Sequence, residues 1–266
     1  MIFEKDVFYC INAFVGEKLF GNMAYVCILS SNNFPEKSYM LAKAREFNVS
    51  ETVFVKKEKD GFYIRWFTPE CEVDLCGHGT LAVSYVIFCI FDDLSKIKFH
   101  SLSGSLYATK NIDSSITLDF PMRKSAKISN IALFEGLLGF MPLEVYKGND
   151  FYICLFKDEN QILEISPCFN NIKAFTLADI IVTAEYSDAD FDIVSRVFAP
   201  GTGIDEDDVT GSAHVALAYF LNKKTGKTYW NALQRSVSGG ELKVFLQDNR
   251  VFITGKCQVL VSVLKT

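Results

Sequence analysis

The chain has 266 residues, of which 49% are hydrophobic and 22% charged, with 24 Phe and a net charge of −5. That composition excludes a disordered chain and gives either one large domain or two of about 130 residues enough apolar area for a core. The acidic balance, without a basic stripe, excludes a nucleic-acid surface, which needs clustered Lys and Arg to displace counterions.

The first residues, Met1 to Asp6, mix charges where an export signal would place a basic and then an apolar segment, so a cytoplasmic protein is expected. Thr52-Val53-Phe54-Val55 reads as a strand, and Phe62-Tyr63-Ile64 as another leading into Arg65-Trp66-Phe67-Thr68-Pro69. From Leu81 to Phe91 apolar residues fall on every face, the pattern of a helix buried all round. This run is too short for the roughly 18 to 20 residues a bilayer span requires, so no membrane segment is expected. Strands follow at Ile116 to Phe120 and at Asp179 to Val182. Phe191-Asp192-Ile193 then leads into Arg196-Val197-Phe198-Ala199-Pro200, and a second all-apolar helix spans Val215 to Leu221. Leu242 to Phe245 and Arg250 to Ile253 close the series as strands.

The two Arg-x-Phe-x-Pro segments, each followed by acidic residues, a Gly and a buried helix, mark an internal repeat. Cys76-Gly77-His78 in the first half falls against Thr210-Gly211-Ser212 in the second. The expected fold is α+β with two pseudo-symmetric domains, each a mixed sheet wrapped around its central helix. The domains are expected at residues 1–122 and 123–266, with the last strand able to cross back to the first. Eight Cys at irregular spacing, mostly in apolar stretches, read as reduced, buried thiols. Cys71 and Cys76 have no second Cys or His pair at zinc spacing, so no metal is expected.

Each buried helix begins at a Gly flanked by small polar residues, leaving amide N–H groups and the positive dipole end for an anion such as a substrate carboxylate. The competing reading is ordinary capping, with Thr210 or Ser212 as N-cap. Glu51, beside Ser50, has the same alternative, and Asn22 after Gly21 reads equally as a turn residue or a substrate contact.

Several motifs then stand in one order along nearly the whole chain: Asn12-Ala13-Phe14 with Phe20-Gly21-Asn22; Ser50-Glu51-Thr52-Val53-Phe54-Val55; Arg65-Trp66-Phe67-Thr68-Pro69-Glu70 with Glu72 to Leu81; Asp119-Phe120-Pro121; and Glu206 to Ala213. Together they resemble the phenazine-biosynthesis-like family, which shares the diaminopimelate-epimerase-like fold. The resemblance implies a cofactor-independent isomerase, acting in a biosynthetic process, that moves a proton and a double bond on a small carboxylated, amino-acid-like or cyclic substrate. It implies Glu51 as proton carrier with His78, Asp207 and Ser212 as catalytic partners, in a cleft between the halves. Asn22, Cys76, Gly77, Thr210 and Gly211 are expected to line the substrate site. A homodimer is expected, with no nucleic-acid or membrane partner.

A single carboxyl can accept a proton and return it nearby, provided burial or a second carboxylate raises its pKa. Asp208, where the family commonly has Pro, leaves open whether Asp207 or Asp208 is the functional acid. Two alternatives stand beside the isomerase: a non-catalytic binding or adaptor protein on the same fold, and an amino-acid racemase. The second is weakened because Thr210, not a second Cys, stands opposite Cys76.

Overall fold

The computed structural model describes residues 5–186 and 190–265, with side chains described up to residue 260. The chain begins β1 (Val7–Ala13), β2 (Asn22–Ile28), α1 (Lys37–Phe47), β3 (Glu51–Glu58), β4 (Gly61–Phe67), β5 (Glu72–Val73) and α2 (Gly77–Ile90). β6 (Lys96–Ser101), β7 (Gly104–Lys110), β8 (Ile116–Pro121), β9 (Ala126–Ile128), α3 (Ala132–Leu138), β10 (Glu144–Lys147) and β11 (Phe151–Leu155) follow. Next come α4 (Glu159–Glu164), α5 (Phe169–Phe175), β12 (Asp179–Glu185), β13 (Ile193–Ala199) and β14 (Ile204–Asp207). The chain closes with α6 (Gly211–Thr225), β15 (Tyr229–Gln234), β16 (Gly240–Gln247), β17 (Arg250–Gly255) and β18 (Cys257–Lys265).

The chain forms two compact units. The first runs to Phe120 and resumes at Thr254; the second is continuous from Pro121 to Ile253. In the first, β1 lies antiparallel between β2 and β18. β2 then runs parallel to β3, β3 antiparallel to β4, and β4 parallel to β6, which turns back through β7 and β8. The second unit repeats this order: β11 is parallel to β12, β12 antiparallel to β13, β13 parallel to β15, and β16 antiparallel to β15. The short strands β5 and β14 pair with β4 and β13 and lead into α2 and α6. This is the α+β fold with a mixed sheet and a central helix in each half that the repeat predicts.

Alternation along the strands separates the two faces of each sheet. In the first unit Phe8, Cys27, Leu29, Phe54 and Phe67 pack under Met40 and Ala44 of α1. The opposite face, with Val53 and Trp66, meets Gly79 in the first turn of α2, where a Cβ would lie 2.8 Å from Val53 Cγ2 and 3.1 Å from Trp66 Cδ1. Glycine there lets the helix settle directly on the strands. From Gly77 through Ser84 every residue of α2 is buried. In the second unit Ile180, Val182, Val194 and Phe198 join Phe134, Ile162 and Ile172 of α3, α4 and α5 in one cluster. α6 is buried from Ala213 through Ala218 and ends at Lys223 and Lys224, cations placed where the helix dipole favours them.

The repeated Arg residues explain the motif. Arg65 holds Glu72 through Nε at 2.6 Å and Nη2 at 2.9 Å, and Arg196 holds Glu206 through the same atoms at 2.7 and 2.9 Å. Each bidentate pair ties the strand before a central helix to the short strand that delivers it. Two expectations need correction. Phe191 and Asp192 precede β13, which begins at Ile193, although the Asp192 backbone still bonds to Tyr186 and Asn231 in line with the flanking ladders. The thiols are free but not mostly buried: Cys10, Cys27, Cys76 and Cys154 are, whereas Cys71, Cys89 and Cys168 are exposed at loop or helix ends.

Candidate active site

Strand periodicity puts the first group of predicted residues on one face. Thr52 and Phe54 point to the α1 side, so Glu51 and Val53 point to the α2 side. Ala24 pairs with Glu51, and Asn22 shares the face of Ala24. Gly21 delivers Asn22: it sits at φ +73°, and a Cβ there would lie 2.3 Å from the Ala13 carbonyl oxygen. The N-terminus of α2 then lowers Cys76, Gly77 and His78 onto this face.

The result is a buried polar cluster. Glu51 is 3% exposed, His78 4%, Cys76 7% and Asn22 1%. Cys76 is the N-cap of α2, its Sγ accepting from Gly79 N at 3.3 Å. One ligand-type atom from each of Glu51, Cys76 and His78 lies within 4.8 Å of the others, with Cys76 Sγ 3.5 Å from His78 Nδ1. Asn22, Ser50 and His78 close a ring of hydrogen bonds. Asn22 Nδ2 donates to His78 Nδ1 at 3.3 Å, so Nε2 of the neutral imidazole carries the proton and donates to Ser50 Oγ at 3.3 Å. Ser50 Oγ donates in turn to Asn22 Oδ1 at 2.7 Å. The ring fixes both the tautomer and the orientation of His78.

The second unit gathers Asp207, Thr210, Gly211 and Ser212 around the N-terminus of α6. Asp207 pairs with Val197, on the face opposite Val194 and Phe198 of the outer cluster and therefore on the α6 side. Thr210 occupies the N-cap position of α6 without capping it; its hydroxyl donates to Asp207 Oδ2. Gln234 clamps this turn, donating to the Asp207 carbonyl at 2.7 Å and accepting from Thr210 N at 2.8 Å. Ser212 is partly exposed, and its carbonyl accepts from Arg123 Nη1 at 3.2 Å. Asp208 leaves this group: its backbone carbonyl accepts from Ser236 Oγ at 2.7 Å, and burial, followed by the charge of Asp207, raises its carboxyl, with Ser238 and Ser236 opposing.

His214 is fully buried, with Nδ1 2.8 Å from the Thr210 carbonyl and Nε2 3.3 Å from Ser195 Oγ. Burial lowers its pKa to about 4 against the smaller opposing effect of the Thr210 carbonyl, which makes it a neutral brace for the helix start.

Sequence reasoning missed Ser50 as a participant, and it missed Gln234, Arg123 and Asp179. Asp179 starts β12 on the α6 side, and burial, followed by the charge of Asp207, raises its carboxyl to about 7, with Arg123 opposing. None of these four carries a local signal, since each acts across 20 or more residues of chain; Ser50 was visible only as the neighbour of Glu51.

Among the described residues no helix is long and apolar enough to cross a membrane. The sequence matches the family described as "Phenazine biosynthesis-like protein" over residues 11–262. A protein of Halalkalibacterium halodurans named an uncharacterized isomerase is 37% identical over 263 residues, covering 97% of this chain and 96% of that one. The crystal structure of a phenazine biosynthesis protein of the PhzF family from Enterococcus faecalis superposes with a TM-score of 0.89 at 36% identity, over 98% and 99% of the two chains. A structure from Pseudomonas aeruginosa named a predicted epimerase shares the fold at a TM-score of 0.78 and 17% identity, over 98% of this chain and 99% of that one. The chain therefore belongs to the phenazine biosynthesis-like family and is an enzyme of the isomerase class.

Proposed function

We propose that the chain moves a proton between carbons of one small carboxylated substrate, amino-acid-like or cyclic, with Glu51 as the carrier. The observation that carries this reading is the cluster itself: a buried carboxyl, an imidazole and a thiol within 4.8 Å at the start of a buried helix. A carboxyl out of water is a stronger base than an exposed one, and as its conjugate acid it returns the proton it took. His78, with Nε2–H committed to Ser50, keeps Nδ1 toward Asn22 and Cys76, placed to accept a hydrogen bond there. The positive dipole end of α2, beside this cluster, suits a carboxylate. Asp207 and Ser212 are further proposed participants, Asp207 because Thr210 and Gln234 hold it rigidly.

Racemisation by two thiols is the weaker alternative. The position equivalent to Cys76 is Thr210, whose hydroxyl is engaged as a donor to Asp207 and lacks a thiol's acidity. The test is to incubate cyclic and aromatic amino-acid-like carboxylates with the protein in deuterated water. Incorporation at carbon, lost in Glu51→Gln, supports the reading. A ligand that binds but never exchanges deuterium would sink it.

A further inference from the structure

The sequence offers no metal-binding spacing, yet folding brings a carboxylate from β3 together with a thiol and an imidazole from α2. We propose that Glu51, Cys76 and His78 form a three-ligand site for a zinc-class divalent cation, with water in the fourth position. Capture of the cation does not rest on the proton-carrier reading above, although its effect on turnover does.

The geometry is specific. With Zn–S near 2.3 Å and Zn–N near 2.0–2.1 Å, the sulfur-to-nitrogen edge of a tetrahedron is about 3.5–3.6 Å. Cys76 Sγ and His78 Nδ1 are 3.5 Å apart. The corresponding edges to a carboxylate oxygen are about 3.4–3.6 Å, so a Glu51 oxygen within 4.8 Å needs a shift of roughly 1 Å, which its side-chain torsions supply. Thiolate, imidazole and carboxylate are the donor types zinc prefers, and their two negative charges balance the cation where an uncompensated charge is costly. All three ligands are buried.

The surroundings support the same choice of ligand atom. A metal-bound His normally donates its other ring N–H to a fixed acceptor, and His78 Nε2 already faces Ser50 Oγ at 3.3 Å. Gly79 N, donating to Cys76 Sγ at 3.3 Å at the positive end of α2, stabilises the thiolate. The cation displaces the Asn22 amide from His78 Nδ1, and ligation releases the Cys76 proton, about one per cation bound. While bound, it occupies the Glu51 carboxylate and the His78 lone pair and so blocks proton transfer.

The test uses the full chain with the exposed Cys71, Cys89 and Cys168 changed to Ser, titrated with cobalt(II) as a spectroscopic stand-in for zinc. One equivalent should produce a sulfur-to-cobalt charge-transfer band with intense four-coordinate d–d absorption, displaced by zinc and accompanied by proton release. Cys76→Ser should abolish the band and weaken binding more than ~100-fold. Glu51→Gln should keep the thiolate band but weaken binding, which covers the case that Cys76→Ser folds poorly. No charge-transfer band at saturating cobalt, or a band that survives Cys76→Ser, overturns the proposal. A bound cation with undiminished solvent exchange supports the metal site and counts against Glu51 as carrier.

Discussion

The Thr210 hydroxyl donates to the carboxylate of Asp207, three residues before it, and both residues are buried. The cap position of α6 is thereby spent on holding an acid, whereas its counterpart Cys76 accepts from its own helix. The two halves share a backbone plan but divide the chemistry unequally, and this division underlies the first expectation.

Glu51→Gln keeps the size and hydrogen-bonding capacity of the side chain while removing the titrating group. Solvent deuterium exchange should fall by about 10³- to 10⁴-fold while ligand binding survives. Cys76→Ser should cost far less, since a hydroxyl can still cap Gly79. Equal losses in the two variants would indicate thiol chemistry instead.

Asp179 gives a stability test of the opposite sign from an ordinary ion-paired acid. Its folded pKa is raised from 3.8 to about 7, so the folded state holds the proton more tightly than the unfolded state. Stability from this group is full below pH 3.8, declines as the pH rises to about 7, and is constant above that. Asp179→Asn should therefore stabilise the chain at pH 8, by about 1–3 kcal/mol, and change little at pH 4. Urea unfolding at the two pH values measures both; a gain of equal size at each would show that the charge is not responsible.

His214 titrates the other way. Its folded pKa is lowered from 6.5 to about 4, so on acidification the unfolded chain takes up the proton first. Its contribution is complete above pH 6.5, is lost as the pH falls to about 4, and then levels off. His214→Asn should be less stable at pH 7 but flatter between pH 6.5 and 4, by about 2–3 kcal/mol. Parallel curves for the two proteins would contradict the burial argument.

The repeated Arg residues are not equivalent. Arg196 also donates to the carbonyls of Ile162 and Ile165 at the end of α4, at 3.0 and 2.8 Å, and Arg65 instead shares Glu72 with Lys37. Arg196→Lys should cost about 2–4 kcal/mol, because a lysine cannot satisfy the carboxylate and both carbonyls together. Arg65→Lys should cost about 1 kcal/mol, with Lys37 still on the acid. Thermal unfolding of the two variants gives the comparison.

The central helices were legible because being apolar on every face has one explanation, burial, and the repeat was legible because Arg65 and Arg196 do the same work on Glu72 and Glu206. Glu51 and His78 could be named as partners from motif resemblance, but the physical reason they meet could not: the α2 face of β3 receives the first turn of α2. Resemblance names Asp207 while leaving Asp208 open; in the structure Thr210 and Gln234 hold Asp207, whereas the Asp208 carbonyl turns to Ser236. Gln234 and Asp179 stayed hidden because a lone polar residue at a strand end looks the same whether or not another strand brings it a partner.

The pairing of β1 with β18 has a kinetic consequence. The second unit is a single uninterrupted stretch and can reach its native contacts as soon as it leaves the ribosome. The first unit cannot: Ala13 must wait for Cys257, and Val7 for Lys265, so β1, although paired with β2, lacks the second of its two neighbours until nearly the whole described chain exists. Closing a loop of that length is a slow step. Refolding should accordingly show the inserted half acquiring protection against hydrogen exchange first, with the Glu51 cluster forming last, when the edge of β1 is sealed.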